Sequence, residues 1–370
     1  MTPSVIVVGA GVVGCAVAHR LASTGARVQV LETRSPGLGA TRASAGVLAP
    51  YIEGHGSDAL RALGRRSLDL YDAFVEQARV ESGHAITYER RGTLEVALTE
   101  SDVTRLVAAS DVLWRQGVEA RWVPPLAFED YEPHLSPSAA GALLIPQHGL
   151  IGVSALTLAL AAAAERHGAR FKSLTSAIRI HAMPGGRVGV ETTSASWDAD
   201  RVVLAAGTWS GHITVDGADR VPVRPVRGQL LQLRTEPGTL GHVVWGSAGY
   251  LVPWPDGTVL VGATSEDAGF DETCTDEGIS GLRKMAAALV PALADAPMTE
   301  ARAGLRPAGP DDLPLVGPSA AVPGVIYATA HYRNGVLLAP LTAGLVSDLV
   351  FGRPADPDLA WLRPSRCGNL

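Results

Sequence analysis

A chain of 370 residues with 46% apolar content is long enough for two domains or one elaborated one, with a sizeable core. Its net charge of −6 and scattered Lys and Arg argue against a nucleic-acid binder. The three cysteines, Cys15, Cys274 and Cys367, are too few and too far apart for a disulfide framework or a zinc site, so no metal is expected and a reducing compartment fits.

The chain opens on a β-branched run, VIVV at 5–8, of the kind buried in parallel sheets. No basic leader precedes it, so these residues are expected to be core rather than a signal peptide, and the protein cytoplasmic. Gly9, Gly11 and Gly14 follow in G-x-G-x-x-G spacing; 12–23 reads as a helix, and 28–31 as a second strand ending on Glu32. Each part has a mechanical reason. Gly9 makes the tight turn, Gly11 admits a pyrophosphate to the backbone, and Gly14 lets helix pack on strand. The helix N-terminus offers free N–H groups to phosphate. Glu32 is placed to accept from a ribose diol, which favours FAD or NAD over NADP. The glycine spacing is weak evidence by itself; strand, helix, second strand and terminal acid together indicate a dinucleotide site.

The Gly-rich loop 33–46 is longer than a simple NAD enzyme needs and suits a longer ligand. Thr41, Ser44 and Gly46 can donate to a pyrophosphate there, and Ala45 leaves room for a flat ring. Helical spacing of Leu60, Leu63, Leu68, Tyr71 and Phe74 predicts a helix over 58–80. Residues 86–98 read as two short strands around Gly92, and 100–116 as a helix capped by Thr99 or Ser101. Short strands are expected at 141–145 and 149–153, then an Ala-rich helix to His167. The apolar run 155–164 is too short to span a membrane. A strand over 169–180 is given a hairpin partner at 188–192.

Residues 202–204 form another buried parallel strand, which runs into the small-residue turn 205–208 before Trp209. Such a turn, at the carboxyl end of a parallel strand, is where an open α/β sheet holds its ligand. Residues 221–233, 250–253 and 258–264 read as antiparallel strands, and 276–293 as a helix. Arg306, between Leu305 and Pro307, is expected in a rigid turn. The chain closes on a strand at 325–330, a turn at 331–335 and a helix at 336–351. That last unit belongs by composition with the N-terminal sheet, so the dinucleotide domain is expected to be discontinuous.

These motifs together resemble the D-amino-acid oxidase superfamily of flavoproteins, and within it the glycine oxidases linked to thiamine biosynthesis. The carriers are GAGVVG with Glu32, GATRASAG (39–46), VVLAAGTWSG (202–211), RPVRGQLL (224–231), YLVPWPDGTVLVGAT (250–264), AGLRPAGPDDLPLVG (303–317) and HYRNGVLLAP (331–340). The resemblance covers essentially the whole chain. It implies an α/β fold: a discontinuous Rossmann-like FAD-binding domain (1–83, 141–215 and 300–370) and a second, mixed-sheet α+β substrate domain (84–140 and 216–299). It also implies non-covalent FAD, because the cysteine that covalent relatives carry near the GLRP region is missing here. The FAD would be held by Gly9, Gly11, Val12, Val13, Gly14, Glu32, Thr33, Arg34, Ala40, Thr41, Ser44, Ala45, Gly46, Ala177, Ala206, Gly207, Trp209, Arg333, Asn334, Gly335, Val336 and Leu337. The resemblance places the substrate carboxylate against Arg306 and Tyr250, with Arg333 near the same cavity.

The expected chemistry is removal of a hydride from the Cα of a small amino acid to flavin, which needs orientation more than a protein base. A bidentate guanidinium is the natural carboxylate clamp. Taken as residues alone, Arg306 could instead be a surface ion pair, and Tyr250 and Arg333 structural. His331, a single histidine with no visible partner, is expected to be structural. Departures from the glycine-oxidase pattern at Ser247, Ala248, Gly249, Ser265 and Tyr332 leave the side-chain preference of the substrate open. The electron acceptor is dioxygen or another acceptor. A D-amino-acid or N-methyl/cyclic imino-acid dehydrogenase, a flavin subunit of a larger complex, and homo-oligomerisation also stay open.

Overall fold

The computed structural model describes residues 2–53, 57–354 and 356–370, with backbone only for 357–359. A six-stranded sheet runs in the order Leu315–Pro318, Val325–Thr329, Arg201–Leu204, Ser4–Val8, Arg27–Leu31, Arg170–Lys172. All neighbours are parallel except the edge strand Leu315–Pro318. Side chains alternate across a pleat, so a sheet covered on both faces reads as a continuous apolar run. Val5, Val7, Val28, Val30 and Val203 point to the helices Val12–Ser23, Val153–Arg166 and Ala339–Val350. Ile6, Val8, Leu31, Val202 and Leu204 point the other way, onto Ile180, Val188, Val190 and Ala199 of a four-stranded sheet.

The second large element is an eight-stranded mixed sheet: Met298–Ala308, Arg224–Arg234, Thr258–Gly262, Gly249–Pro253, Val243–Gly246, Thr93–Ala97, Gly141–Ile145, Arg121–Val123. The helix Asp276–Leu289 covers part of it, burying Leu282, Ala286 and Leu289 against Leu231, Val244 and Leu251. The helix Glu100–Arg115 packs elsewhere on it and starts on a capping box, Thr99 with Asp102. Among the described residues, no helix is long and apolar enough to cross a membrane.

Several local expectations change in the fold. The single helix over 58–80 is two, Asp58–Asp69 and Tyr71–Ser82, meeting at Leu70. Ser67 Oγ donates to the carbonyl of Leu337 at 2.6 Å and the buried Tyr71 hydroxyl to that of Val336 at 2.5 Å, so each helix is fastened separately to the turn after Val325–Thr329. The strand expected over 169–180 is split. Arg170–Lys172 joins the parallel sheet, whereas Ala177–Ala182 pairs with Val188–Thr192 in the four-stranded sheet. Gly141–Ile145 and most of Met298–Ala308, expected with the cofactor domain, belong to the eight-stranded sheet, paired with Thr93–Ala97 and Arg224–Arg234. Arg306 consequently lies within a long strand, opposite Val226, and not in a turn. An apolar run specifies burial but not its pairing partner, which is why these placements were not readable in advance.

Candidate active site

The glycine turn is set by packing. Gly9 has φ +104°, and a Cβ there would lie 2.5 Å from the carbonyl oxygen of Ala205; one on Gly14 would lie 2.0 Å from that of Gly9. Any side chain at either position would therefore separate the first strand from the helix or from the strand Arg201–Leu204. Gly11 precedes the helix with no side-chain cap of its own, and Val12 N–H donates to Thr41 Oγ1 at 3.0 Å, tying the loop 33–46 to the helix N-terminus. Glu32 takes Ala10 N–H at 2.7 Å on one oxygen and Arg34 N–H at 2.8 Å on the other, so the acid holds both turns that flank it.

Beside this turn lies a cavity of about 510 Å³. It collects Val12, Val13, Ala40, Thr41, Ser44, Ala45, Gly207, Trp209, Arg333, Gly335 and Val336 with Tyr250 and Arg306. These come from both large sheets. Gly304 makes the approach close: a Cβ there would sit 2.5 Å from the Ala43 methyl carbon. Thr208 Oγ1 is buried in the wall with no hydrogen-bond partner among the described residues, which a bound polar ligand would satisfy. A helix start whose capping residue, Gly11, bears no side chain and this orphaned hydroxyl fit a dinucleotide extending into the cavity.

Other expected cofactor residues stand outside the cavity lining. Gly46 has φ +77°, and a Cβ would lie 1.9 Å from the Ile151 carbonyl oxygen, so it seats the loop on the strand Gly149–Ile151. Thr33 is exposed; Arg34 stacks over Trp209 at 4.9 Å and pairs with Glu272 at 2.5 Å, at the mouth of a second cleft. Ala177 begins a strand of the four-stranded sheet, and Ala206 packs between the strands and that sheet. Asn334 and Leu337 are buried within the turn 331–338, whose backbone N–H of Leu338 donates to Asn334 O at 2.8 Å.

Two glycines shape the wall on which the polar groups lie. Opposite Gly304 in the ladder is Gly228, where a Cβ would come within 2.4–2.5 Å of the Arg306 guanidinium. Gly262 pairs with Tyr250, and a Cβ there would come within 2.9 Å of its ring and hydroxyl. Both side chains therefore lie flat across bare backbone. Arg306 Nη1 donates to the carbonyl of Thr264 at 3.0 Å, and the Tyr250 ring rests against Trp245 at 4.8 Å. Burial pushes the Tyr250 phenol up to about 12, with the Arg306 charge acting in the opposite sense, so the hydroxyl stays a donor at neutral pH.

Arg333 arrives by a different route. Ala330 and Tyr332 adopt left-handed backbone, φ +60° and +48°, and Tyr332 N–H donates to Pro307 O at 2.9 Å. This clips the turn to the end of the Arg306 strand, with the Arg333 guanidinium over the Tyr332 ring. His331 is buried and bonds Thr342 Oγ1 at 2.9 Å; burial pushes its pKa down to about 4, so it is a neutral structural group.

Glu53, which sequence reasoning passed over, also lines the cavity. Burial raises its carboxyl pKa, partly offset by the charges of Arg333 and Arg306. It ends a four-residue helix, Pro50–Glu53, with no motif around it; only the fold brings it opposite the arginines. Trp245 was missed for the same reason, whereas Thr208 lies in the turn 205–208 that the sequence had marked as a ligand-holding strand exit. Ser247, Ala248, Gly249, Ser265 and Tyr332, the departures noted in the sequence, all face this cavity.

Fold and site define a two-sheet dinucleotide-binding protein whose ligand pocket opens onto a wall carrying Tyr250 and Arg306. A family model described as FAD dependent oxidoreductase (DAO) matches residues 4–349. The chain is 34% identical over 359 residues to a glycine oxidase of Geobacillus kaustophilus, covering 96% of this chain and 95% of that one. It is 35% identical to a bifunctional protein ThiO/ThiG of Nostoc sp., over 99% of this chain but 55% of the relative, so it spans about half of that protein. A crystal structure of glycine oxidase from Geobacillus kaustophilus superposes with a TM-score of 0.93 at 32% identity, covering 99% of each chain. The chain belongs to the DAO family of FAD-dependent oxidoreductases.

Proposed function

We propose that this protein oxidises the amine carbon of glycine or another small amino or imino acid, giving the imino acid and, after hydrolysis, the oxo acid with ammonia or amine, and hydrogen peroxide. The observation that carries the reading is Arg306 and Tyr250 lying on glycine-bared backbone in the wall of the cavity that the dinucleotide turn opens into. FAD, when bound, would supply the two-electron acceptor for the hydride leaving Cα and the reducing equivalents for dioxygen. Arg306 holds the substrate carboxylate through its fork of N–H donors, with one nitrogen anchored to Thr264 O. Tyr250, kept protonated, donates a further hydrogen bond to the same carboxylate. The substrate amine is neutral when the hydride leaves, its ammonium proton having gone to solvent; Glu53 accepts a hydrogen bond from it, and Arg333 balances the Glu53 charge. Small side chains at Ser247, Ala248 and Ser265 leave the wall open toward substituents on nitrogen or Cα.

The similarity to glycine oxidases and to ThiO/ThiG supports this substrate class and makes thiamine biosynthesis its proposed setting, in the cytoplasm. The test is an anaerobic titration of the yellow protein with glycine, sarcosine, D-alanine and D-proline while the oxidised-flavin band is followed. One of them should bleach the band, and air should restore it with peroxide. Bleaching that air does not reverse would replace the oxidase with a dehydrogenase. No bleaching by any of the four would overturn the substrate class.

A further inference from the structure

We propose that His19, Glu81 and His167 form a binding site for one divalent transition-metal ion of the zinc type, at the opposite end of the helix whose N-terminus carries the glycine turn. Their spacing in sequence gives no hint, because each comes from a different helix. His19 lies in Val12–Ser23, Glu81 in the last turn of Tyr71–Ser82, and His167 caps Val153–Arg166. Their ligand atoms all fall within 4.8 Å of one another. The Nε2 atoms of both histidines converge on a single carboxylate oxygen, Glu81 Oε2, and His167 does so at 3.0 Å. The other oxygen, Oε1, is taken by Gln77 Nε2 at 2.9 Å, which orients the carboxylate. Two imidazoles and a carboxylate are a common three-ligand set for zinc, whose bond lengths of about 2.0–2.2 Å put neighbouring ligand atoms about 3.3 Å apart. His19 is buried and His167 exposed, so the cluster is anchored on one side and open to solvent, with room for a fourth ligand, on the other.

Arg20 and Arg166 lie close, the latter donating Nη1–H to the Glu81 carbonyl, and their charge tempers the affinity. The site would cross-link the three helices that pack beside the parallel sheet without touching the cavity.

The experiment uses tag-free, chelator-treated holoenzyme titrated with Zn²⁺ against a chromophoric competitor, with thermal melts in parallel. One equivalent should bind and raise Tm. His167→Ala and Glu81→Gln, both at accessible positions, should each weaken binding by about tenfold or more and abolish the Tm shift, while the flavin spectrum reports an intact fold. Failure to bind a stoichiometric equivalent overturns the proposal. So does full retention of that equivalent in both variants, which would assign it elsewhere, for example to a cysteine.

Discussion

Replacing Arg306 with alanine tests the site most directly. Arg306 spends one nitrogen on Thr264 O and lies over the bare backbone of Gly228, so its remaining donors face the cavity. Removing one partner of a charged pair in a closed site costs about 2–5 kcal/mol. Arg333 and Tyr250 stay behind to take part of the carboxylate's charge, which puts the expected loss at the lower end, about 2 kcal/mol, or about 30-fold in kcat/KM. Arg306→Lys restores the charge without the fork and should fall between. The assay is peroxide production against substrate concentration, paired with anaerobic stopped-flow flavin reduction, so that weaker binding is separated from slower hydride loss. Flavin content should be unchanged, because Arg306 stands on the substrate wall. A folded, flavin-loaded Arg306→Ala protein with the wild-type kcat/KM would remove the residue from this role and with it the carboxylate-wall argument.

Three further outcomes follow from the same geometry. Gly228→Ala puts a methyl within 2.4–2.5 Å of the movable guanidinium end of Arg306, so kcat/KM should drop by about tenfold with little change in Tm; a melt that collapses instead would mean the backbone could not adjust. Because burial raises the Glu53 pKa, the acidic limb of kcat/KM should lie above the ordinary carboxylate value of about 4.3, with activity rising as Glu53 ionises. Glu53→Gln should abolish that limb and raise KM, and an unaltered pH profile would contradict the assignment. His331 is held at about 4 when folded against about 6.5 when unfolded, so the folded state loses stability as pH falls through that interval, by at most about 3 kcal/mol. Denaturant melts of wild type and His331→Gln between pH 7 and 4 should converge by roughly that amount, and parallel curves would show that His331 does not titrate there.

How much of this was legible depended on whether the signal is local. The strand, glycine turn, helix and second strand up to Glu32 are consecutive residues whose pairing, 4–8 with 27–31, is parallel and adjacent, so spacing alone revealed them. The turn after Arg201–Leu204 and the Thr99 cap were readable for the same reason. Tyr250 and Arg306 came from motif resemblance, and the fold then placed both on one wall. Glu53 and Trp245 carry no local pattern and enter the cavity only because separate elements converge there.

The amino-acid sequence by itself determined the elements whose instructions are short-range: buried β-branched runs, glycines where a Cβ would strike a neighbouring carbonyl, and helix starts. It also carried enough family pattern to point to FAD and a carboxylate clamp. The tertiary structure alone decided which strand pairs with which, moving Gly141–Ile145 and Met298–Ala308 into the eight-stranded sheet and turning the expected Arg306 turn into a strand. It also decided which charges meet, Glu53 with two arginines and His19 with Glu81 and His167. The physical reason is that burial is a property of a residue's own run of neighbours, whereas pairing and charge contact depend on partners that can lie hundreds of residues away, and no local spacing encodes them.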